Sequence, residues 1–356
     1  MKKTLIMVFV IALLISSFGA SRLSAATQVA DKDASVIFFM PVGDPSNPFI
    51  HMSEIGIIAA SSLFPNLKIA RVYPFSDDYI HEYIKFSAMR GHDYIVGIGF
   101  YYADAFDKIA DQFPNKNFIV IDGKSEKKNV KSITFNNYEA GYLAGVVASV
   151  VSESKKVGFI GGRESKPIFD FEKGFKDAVK KVNGSIDVSS KMISKGNEGY
   201  SNTEAGFSIA NEMYKGGCDI VFAAAGASGL GSINAARTNN KFIIGVDSDQ
   251  DPIAKGLVVT SVIKRLDTAV VNLLQDISTG KYNADEVSYN VGNVGFTLSS
   301  FNYSRDKLGK AKLDKIFDNI FEIKKKYDYS ETGKVRKTNK RRSEYKEYVP
   351  GSVIRK

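Results

Sequence analysis

The chain has 356 residues, 44% of them apolar, with 24 Phe, 17 Tyr and no Trp, which is enough for two cores of ordinary size. A single cysteine, Cys218, excludes an intramolecular disulfide, and the three histidines, His51, His81 and His92, lack the spacing of a metal site. The formal charge of +9 is unevenly placed, because residues 328–356 hold nine Lys/Arg against four acids, a net +5 over 29 residues.

At the start, Lys2 and Lys3 precede an apolar run from Ile6 to Phe18, and Ser24-Ala25-Ala26 follows with small residues. This pattern predicts a signal peptide over residues 1–26, cleaved before Thr27, and hence an exported chain. An uncleaved anchor is the alternative, although the run is shorter than the ~20 apolar residues of a comfortable span. No cysteine closes the leader, so the lipid-attachment residue of a bacterial lipoprotein is not expected. The expected location is periplasmic or at the cell membrane.

Apolar runs then predict strands at 34–41, 67–73, 94–98, 117–121, 130–135, 156–160, 186–192, 220–224, 241–246 and 256–262. Between them, apolar residues at helical spacing predict helices that include 80–89, 103–112, 139–151, 170–182, 204–214 and 266–277. Strands alternating with helices imply an α/β fold with parallel sheets, and near-continuous strands such as Val36-Ile37-Phe38-Phe39-Met40 fit sheets covered on both faces. Ten strands suit either a (β/α)8 barrel or two doubly wound domains. Two features favour the latter: the small-residue-rich helix Glu139–Val151, and the string Val157-Gly158-Phe159-Ile160-Gly161-Gly162, which restarts the pattern of a first βα unit. The change of lobe is expected near residue 136. Cys218, at the start of an apolar strand, reads as a small buried hydrophobe. Residues 328–356 read as a solvated, flexible basic tail, with an anionic surface or polymer as the alternative partner. The tail alone does not make the chain a nucleic-acid-binding protein.

In parallel α/β sheets, ligands bind beyond the carboxyl ends of the strands. The first strand is followed by Gly43-Asp44-Pro45-Ser46-Asn47-Pro48-Phe49, the third by Gly99-Phe100-Tyr101 and the fourth by Asp122-Gly123. The second half adds Gly161-Gly162-Arg163, Ala225-Gly226-Ala227, Val246-Asp247-Ser248 and, after the last of these strands, Lys264. Carboxylates at strand ends suit vicinal sugar hydroxyls, and Lys264 can hold a carboxylate while donating to another oxygen. Phe49, Phe100, Tyr101 and Tyr200 offer flat faces for a base or sugar ring. Singly, each has a plainer role: Asp122 or Asp247 as a helix cap, Phe49 as core, the glycines as ordinary turns. No phosphate-loop, dinucleotide-binding or serine-nucleophile motif is present, and no pair of carboxylates stands out for hydrolysis, so neither an enzyme nor a cofactor is expected.

The strings Ile119-Val120-Ile121-Asp122, Glu139-Ala140-Gly141-Tyr142-Leu143-Ala144-Gly145, Val157 to Gly162, Ile244-Gly245-Val246-Asp247-Ser248-Asp249-Gln250 and Thr260-Ser261-x-x-Lys264 resemble the basic membrane protein family. These are the PnrA-like substrate-binding proteins of nucleoside ABC importers, and the resemblance spans roughly residues 34–300. It implies a type I periplasmic-binding fold with three hinge crossings, the N-terminal lobe taking 33–135 plus 249–282 and the C-terminal lobe 136–248 plus 283–327. It further implies a purine nucleoside as ligand and an ABC permease as membrane partner. Carried over by motif, Asp247 and Lys264 would hold ribose, Gly226 would line the pocket by its backbone, and Phe49 and Tyr200 would stack on the base. Asp122 would bond the ligand or the hinge. The first loop departs from the family, which carries an acid directly after the first strand; here the strand ends in Met40-Pro41, so either Asp44 replaces that acid or the chemistry of base recognition has changed. The alternative is a surface adhesion protein with a degraded pocket, binding anionic partners through its tail, and a nucleoside hydrolase is a third reading.

Overall fold

All ten apolar runs form strands, and the chain assembles them into two separate sheets rather than a closed barrel. The computed structural model describes residues 33–43 and 46–328. The first half comprises β1 (Ala34–Phe39), α1 (Pro48–Leu63), β2 (Leu67–Val72), α2 (Ile80–Met89), β3 (Tyr94–Ile98), α3 (Tyr101–Ile109), β4 (Asn117–Ile121) and β5 (Val130–Phe135). The second comprises α4 (Asn137–Val151), β6 (Lys156–Arg163), α5 (Lys166–Val182), β7 (Asp187–Ser194), α6 (Thr203–Lys215), β8 (Ile220–Ala224), α7 (Ser228–Asn239), β9 (Phe242–Asp247) and β10 (Val258–Lys264). Then come α8 (Leu266–Ser278), the short strands β11 (Val287–Tyr289) and β12 (Phe296–Leu298), and α9 (Arg305–Asp328), which breaks at Gly309. The expected signal peptide lies outside the described residues, as does the expected tail beyond Asp328.

The sheet orders are β11-β5-β4-β3-β1-β2 and β12-β10-β9-β8-β6-β7, identical position by position when the second is read as a repeat of the first. Pairing is parallel throughout except where β12 runs antiparallel to β10. Central strands such as β3, β4 and β8 are buried along almost their whole length, as sheets covered on both faces require. Helices start where the sequence supplies caps. The Asn47 side chain accepts the Phe49 N–H at 3.0 Å ahead of Pro48, and Asn202 accepts the Ala205 N–H at 2.9 Å.

Small residues let α4 and α5 approach until their backbones touch. A β-carbon at Gly141 of α4 would lie 1.9 Å from the Phe171 carbonyl oxygen of α5, and one at Gly174 would lie 1.9 Å from the Tyr138 carbonyl oxygen. The contact fixes α5, and with it Phe171, over the end of the second sheet. Cys218 is buried at 4% exposure, and burial pushes its thiol up to about 11, so it packs as an apolar residue.

The chain passes between the sheets three times: after β5, after β10, and between β11 and β12. The lobe boundaries expected at 249 and 283 are therefore corrected to about 265 and 290. β10 hydrogen-bonds in parallel to β9 and so stays in the second lobe, whereas β11 pairs with β5 of the first. α8 belongs to the first lobe, packed on α1 so closely that a β-carbon at Gly56 would meet the Asp267 carbonyl oxygen at 2.7 Å. The crossings are tied to one another, Asn136 N–H to the Tyr289 carbonyl at 2.8 Å and Arg265 N–H to the Gly295 carbonyl at 3.0 Å. Glu139 of α4 adds a third tie by accepting the Val291 N–H at 2.9 Å.

Candidate functional site

The carboxyl ends of the two sheets face each other across a cleft with about 700 Å³ of empty space, part of it open to solvent. Of the seven residues that the family resemblance makes ligand contacts, Phe49, Asp122, Tyr200, Gly226, Asp247 and Lys264 all line this cleft, as do the aromatic candidates Phe100 and Tyr101. Asp44 lies outside the described residues.

Asp122 and Asp247 occupy matching positions, each just past or at the end of the third strand from one edge of its sheet, β4 or β9. Both adopt the left-handed backbone, with φ of 64° and 65°. Asp tolerates this conformation better than most side chains, and the geometry turns each carboxylate off its strand into the cleft. Both are 8% exposed.

Lys264, the last residue of β10, sits between them and is 2% exposed. Its ammonium donates to Asp122 Oδ2 at 2.5 Å. The ring centroids of Phe49, Phe135, Phe171 and Phe296 lie 5.1–5.9 Å from the same nitrogen. Four ring faces and a carboxylate replace the water that a lysine ordinarily keeps, since a buried ammonium with no partner is severely destabilising. Phe135 ends β5 and Phe296 begins β12, so the cation rests against the hinge itself.

Burial pushes the Asp122 carboxyl above its ordinary range, opposed by Lys264 and by a hydrogen bond from Asn137. For Asp247, burial pushes the carboxyl up to about 7, with Lys264 pulling down and Asp122 pushing up. The trio thus holds one cation for two acids, and Asp247 is the acid without a hydrogen bond from Lys264. Tyr200, in the turn after β7, has its hydroxyl pushed up to about 12 by burial and remains neutral. It backs onto Gly162, whose missing side chain makes room for the ring: a β-carbon there would lie 2.5 Å from Tyr200 Cδ1.

Besides the Lys264–Asp122 bond, two further contacts bridge the lobes. Gly226 of the second lobe has φ of 55°, and a β-carbon there would lie 2.9 Å from Asn47 Nδ2 and 3.2 Å from the Tyr200 carbonyl oxygen. The Arg163 guanidinium, held by the Lys195 carbonyl and by Asn197 Oδ1 at 2.6 Å, lies 5.4 Å from the ring centroid of Phe100 in the first lobe.

Asn47, Ile168, Phe171 and Asn197 line the cleft without having been singled out in the sequence. Asn47 had a visible signal, an Asn directly before Pro at a helix start. Phe171 had none, since it reads as one apolar residue among several on an amphipathic helix. Among the described residues no group of three or more His, Cys, Asp or Glu is placed to hold a metal ion.

Comparison with known proteins places this arrangement. Residues 34–326 match the family model Bmp, described as ABC transporter substrate-binding protein PnrA-like. The ABC transporter nucleoside-binding protein BmpA of Lactococcus lactis is 33% identical over 276 residues, 70% of this chain and 77% of that one. Basic membrane protein D of Borreliella burgdorferi is 36% identical over 185 residues, 50% of this chain and 53% of its own. In fold, an ABC transporter solute-binding protein from Aeropyrum pernix superposes with a TM-score of 0.70 at 21% identity, covering 83% of this chain and 86% of that one. The fold is the two-lobed type I periplasmic-binding arrangement, and the chain belongs to the PnrA-like family of ABC transporter substrate-binding proteins.

Proposed function

We propose that the protein is exported and captures a purine nucleoside between its lobes, which it delivers to an ABC permease without altering it chemically. The observation that carries this reading is the buried Asp122–Lys264–Asp247 trio set beside Phe49 and Tyr200 in one cleft. Asp247, with no hydrogen bond from the lysine, is suited to accept both hydroxyls of a vicinal diol. Lys264 keeps N–H groups beyond the one given to Asp122 and can reach a ribose oxygen. Phe49 from the first lobe and Tyr200 from the second supply the flat faces for a base, so a ligand that engages both draws the lobes together. The printed name of the Lactococcus relative, a nucleoside-binding protein, supports the ligand class.

The test is isothermal titration of the protein from Thr27 onward, unfolded and refolded to strip endogenous ligand, against adenosine, guanosine, inosine, uridine and ribose. One-to-one binding of a purine nucleoside, much weaker binding of free ribose, and loss of binding in Asp247→Ala are the expected results. A folded protein that gives no heat with any nucleoside would overturn the reading.

A further inference from the structure

We infer that Asn47 selects the base of the ligand, its side-chain amide donating to the 6-oxo oxygen of a purine and discriminating against a 6-amino group. The inference rests on the nucleoside reading above and narrows it to 6-oxopurine nucleosides.

The amide is held in one orientation. Asn47 precedes Pro48 at the start of α1 and is 7% exposed, and its Oδ1 accepts the Phe49 N–H at 3.0 Å. A backbone N–H can only donate, so the atom facing it is the oxygen, and the amide cannot turn over without giving up the helix cap. What Asn47 presents elsewhere is therefore Nδ2 with its two N–H groups. Among the described residues no acceptor meets that nitrogen. Asn47 lines the cleft, and Nδ2 is the heavy atom nearest the place that a β-carbon on Gly226 would take, at 2.9 Å. A donor so buried, unmatched by the protein, costs free energy until a ligand atom accepts from it.

The rest of the lining has the same polarity. The Asp122–Lys264–Asp247 trio accounts for every charged side chain among the described lining residues, and the proposed reading assigns it to the sugar. The other polar side chains there are Asn47, Asn197, Tyr101 and Tyr200. The Asn197 oxygen is engaged by the Arg163 guanidinium at 2.6 Å, a group that donates and never accepts, which fixes that amide as well. Outside the trio, no carboxylate among the described lining residues stands ready to accept from an exocyclic amino group. Asn47 lies two residues before Phe49 and against Gly226, which in turn borders the Tyr200 carbonyl. Its donors thus sit between the chain segments that carry the two stacking rings. A base held by those rings turns its edge to N–H groups: O6 of inosine or guanosine accepts, whereas N6 of adenosine sets donor against donor.

Isothermal titration with inosine and adenosine tests this, on the parent and on Asn47→Asp, which keeps the shape and the helix cap but puts an acceptor where the donors were. The parent is expected to bind inosine about tenfold or more tighter than adenosine, and Asn47→Asp to bring that ratio to unity or below. Asn47→Ser keeps a capping hydroxyl without the amide and serves if the new charge disturbs the circular dichroism spectrum. It should weaken inosine about tenfold and leave adenosine unchanged. Equal affinity of the parent for the two nucleosides, or a ratio that the substitutions leave intact, overturns this inference while nucleoside capture stands. Binding of no nucleoside by the folded parent overturns that reading, and this inference falls with it.

Discussion

Lys264 and Asp122, 142 residues apart in the chain, are joined by a 2.5 Å ammonium–carboxylate bond that runs from the second lobe to the first, and neither side chain reaches solvent by more than a few per cent. The bond closes the floor of the cleft from both sides of the hinge. It also makes the folded protein sensitive to the loss of either charge.

Lys264→Met keeps the stem inside the phenylalanine cage but removes the cation, leaving Asp122 and Asp247 buried together without compensation. Urea denaturation is expected to show a loss of about 3–5 kcal/mol at neutral pH. Part of it should return at pH about 5, where the orphaned carboxyls take up protons. Pairing the change with Asp122→Asn should give less than the sum of the single effects, measured as a double-mutant cycle.

The raised Asp247 pKa, about 7 in the folded state, gives a pH dependence of definite sign. Between the unfolded value near 4 and the folded value, the folded state holds a proton that the unfolded chain has lost. Stability from this group is therefore fully present below about pH 4 and is lost as pH rises through about 7. Relative to the parent, Asp247→Asn should gain stability across that window, by at most about 4 kcal/mol, and the difference should level off above it.

On the proposed reading, ligand hydroxyls donate to Asp247 and favour its ionised form, so the carboxyl would lose its proton as the ligand binds. Nucleoside affinity is expected to be about tenfold weaker at pH 6 than at pH 8. Calorimetry in buffers of different ionisation enthalpy, run near pH 6, should register close to one proton released per ligand; a buffer-independent heat would contradict the assignment of the diol to Asp247.

Gly226→Val places carbon where Asn47 of the opposite lobe now rests and imposes a side chain on a left-handed backbone. Closure should be blocked, with affinity down at least about tenfold and a larger radius of gyration by small-angle scattering in the presence of ligand.

Gly174→Ala tests the support behind the cleft. Its methyl would meet the Tyr138 carbonyl, so α5 must move away from α4, carrying Phe171 with it. A loss of about 2–3 kcal/mol in thermal or urea unfolding is expected, accompanied by weaker ligand binding from the displaced ring.

Much of this architecture was legible from the chain because strands buried on both faces announce themselves as unbroken apolar runs, and because Asp122, Asp247 and Lys264 follow such runs directly. What stayed hidden depends on contacts distant in sequence. β11 and β12 have three residues each, too short for any period, so the crossings near 265 and 290 could not be placed. Phe171 became a cleft residue only through the glycine contact between α4 and α5, and the αL turn shared by Asp122 and Asp247 has no signature in a lone Asp.

The three tied crossings have a mechanical meaning. A pair of domains on one flexible tether can swivel, twist and bend, whereas strands that pass side by side, cross-linked by the Asn136–Tyr289 and Arg265–Gly295 bonds, behave as the leaves of a door hung on several pins. Such a linkage resists swivel and twist more than it resists opening and shutting, and Lys264 is lodged beside it between Phe135 and Phe296.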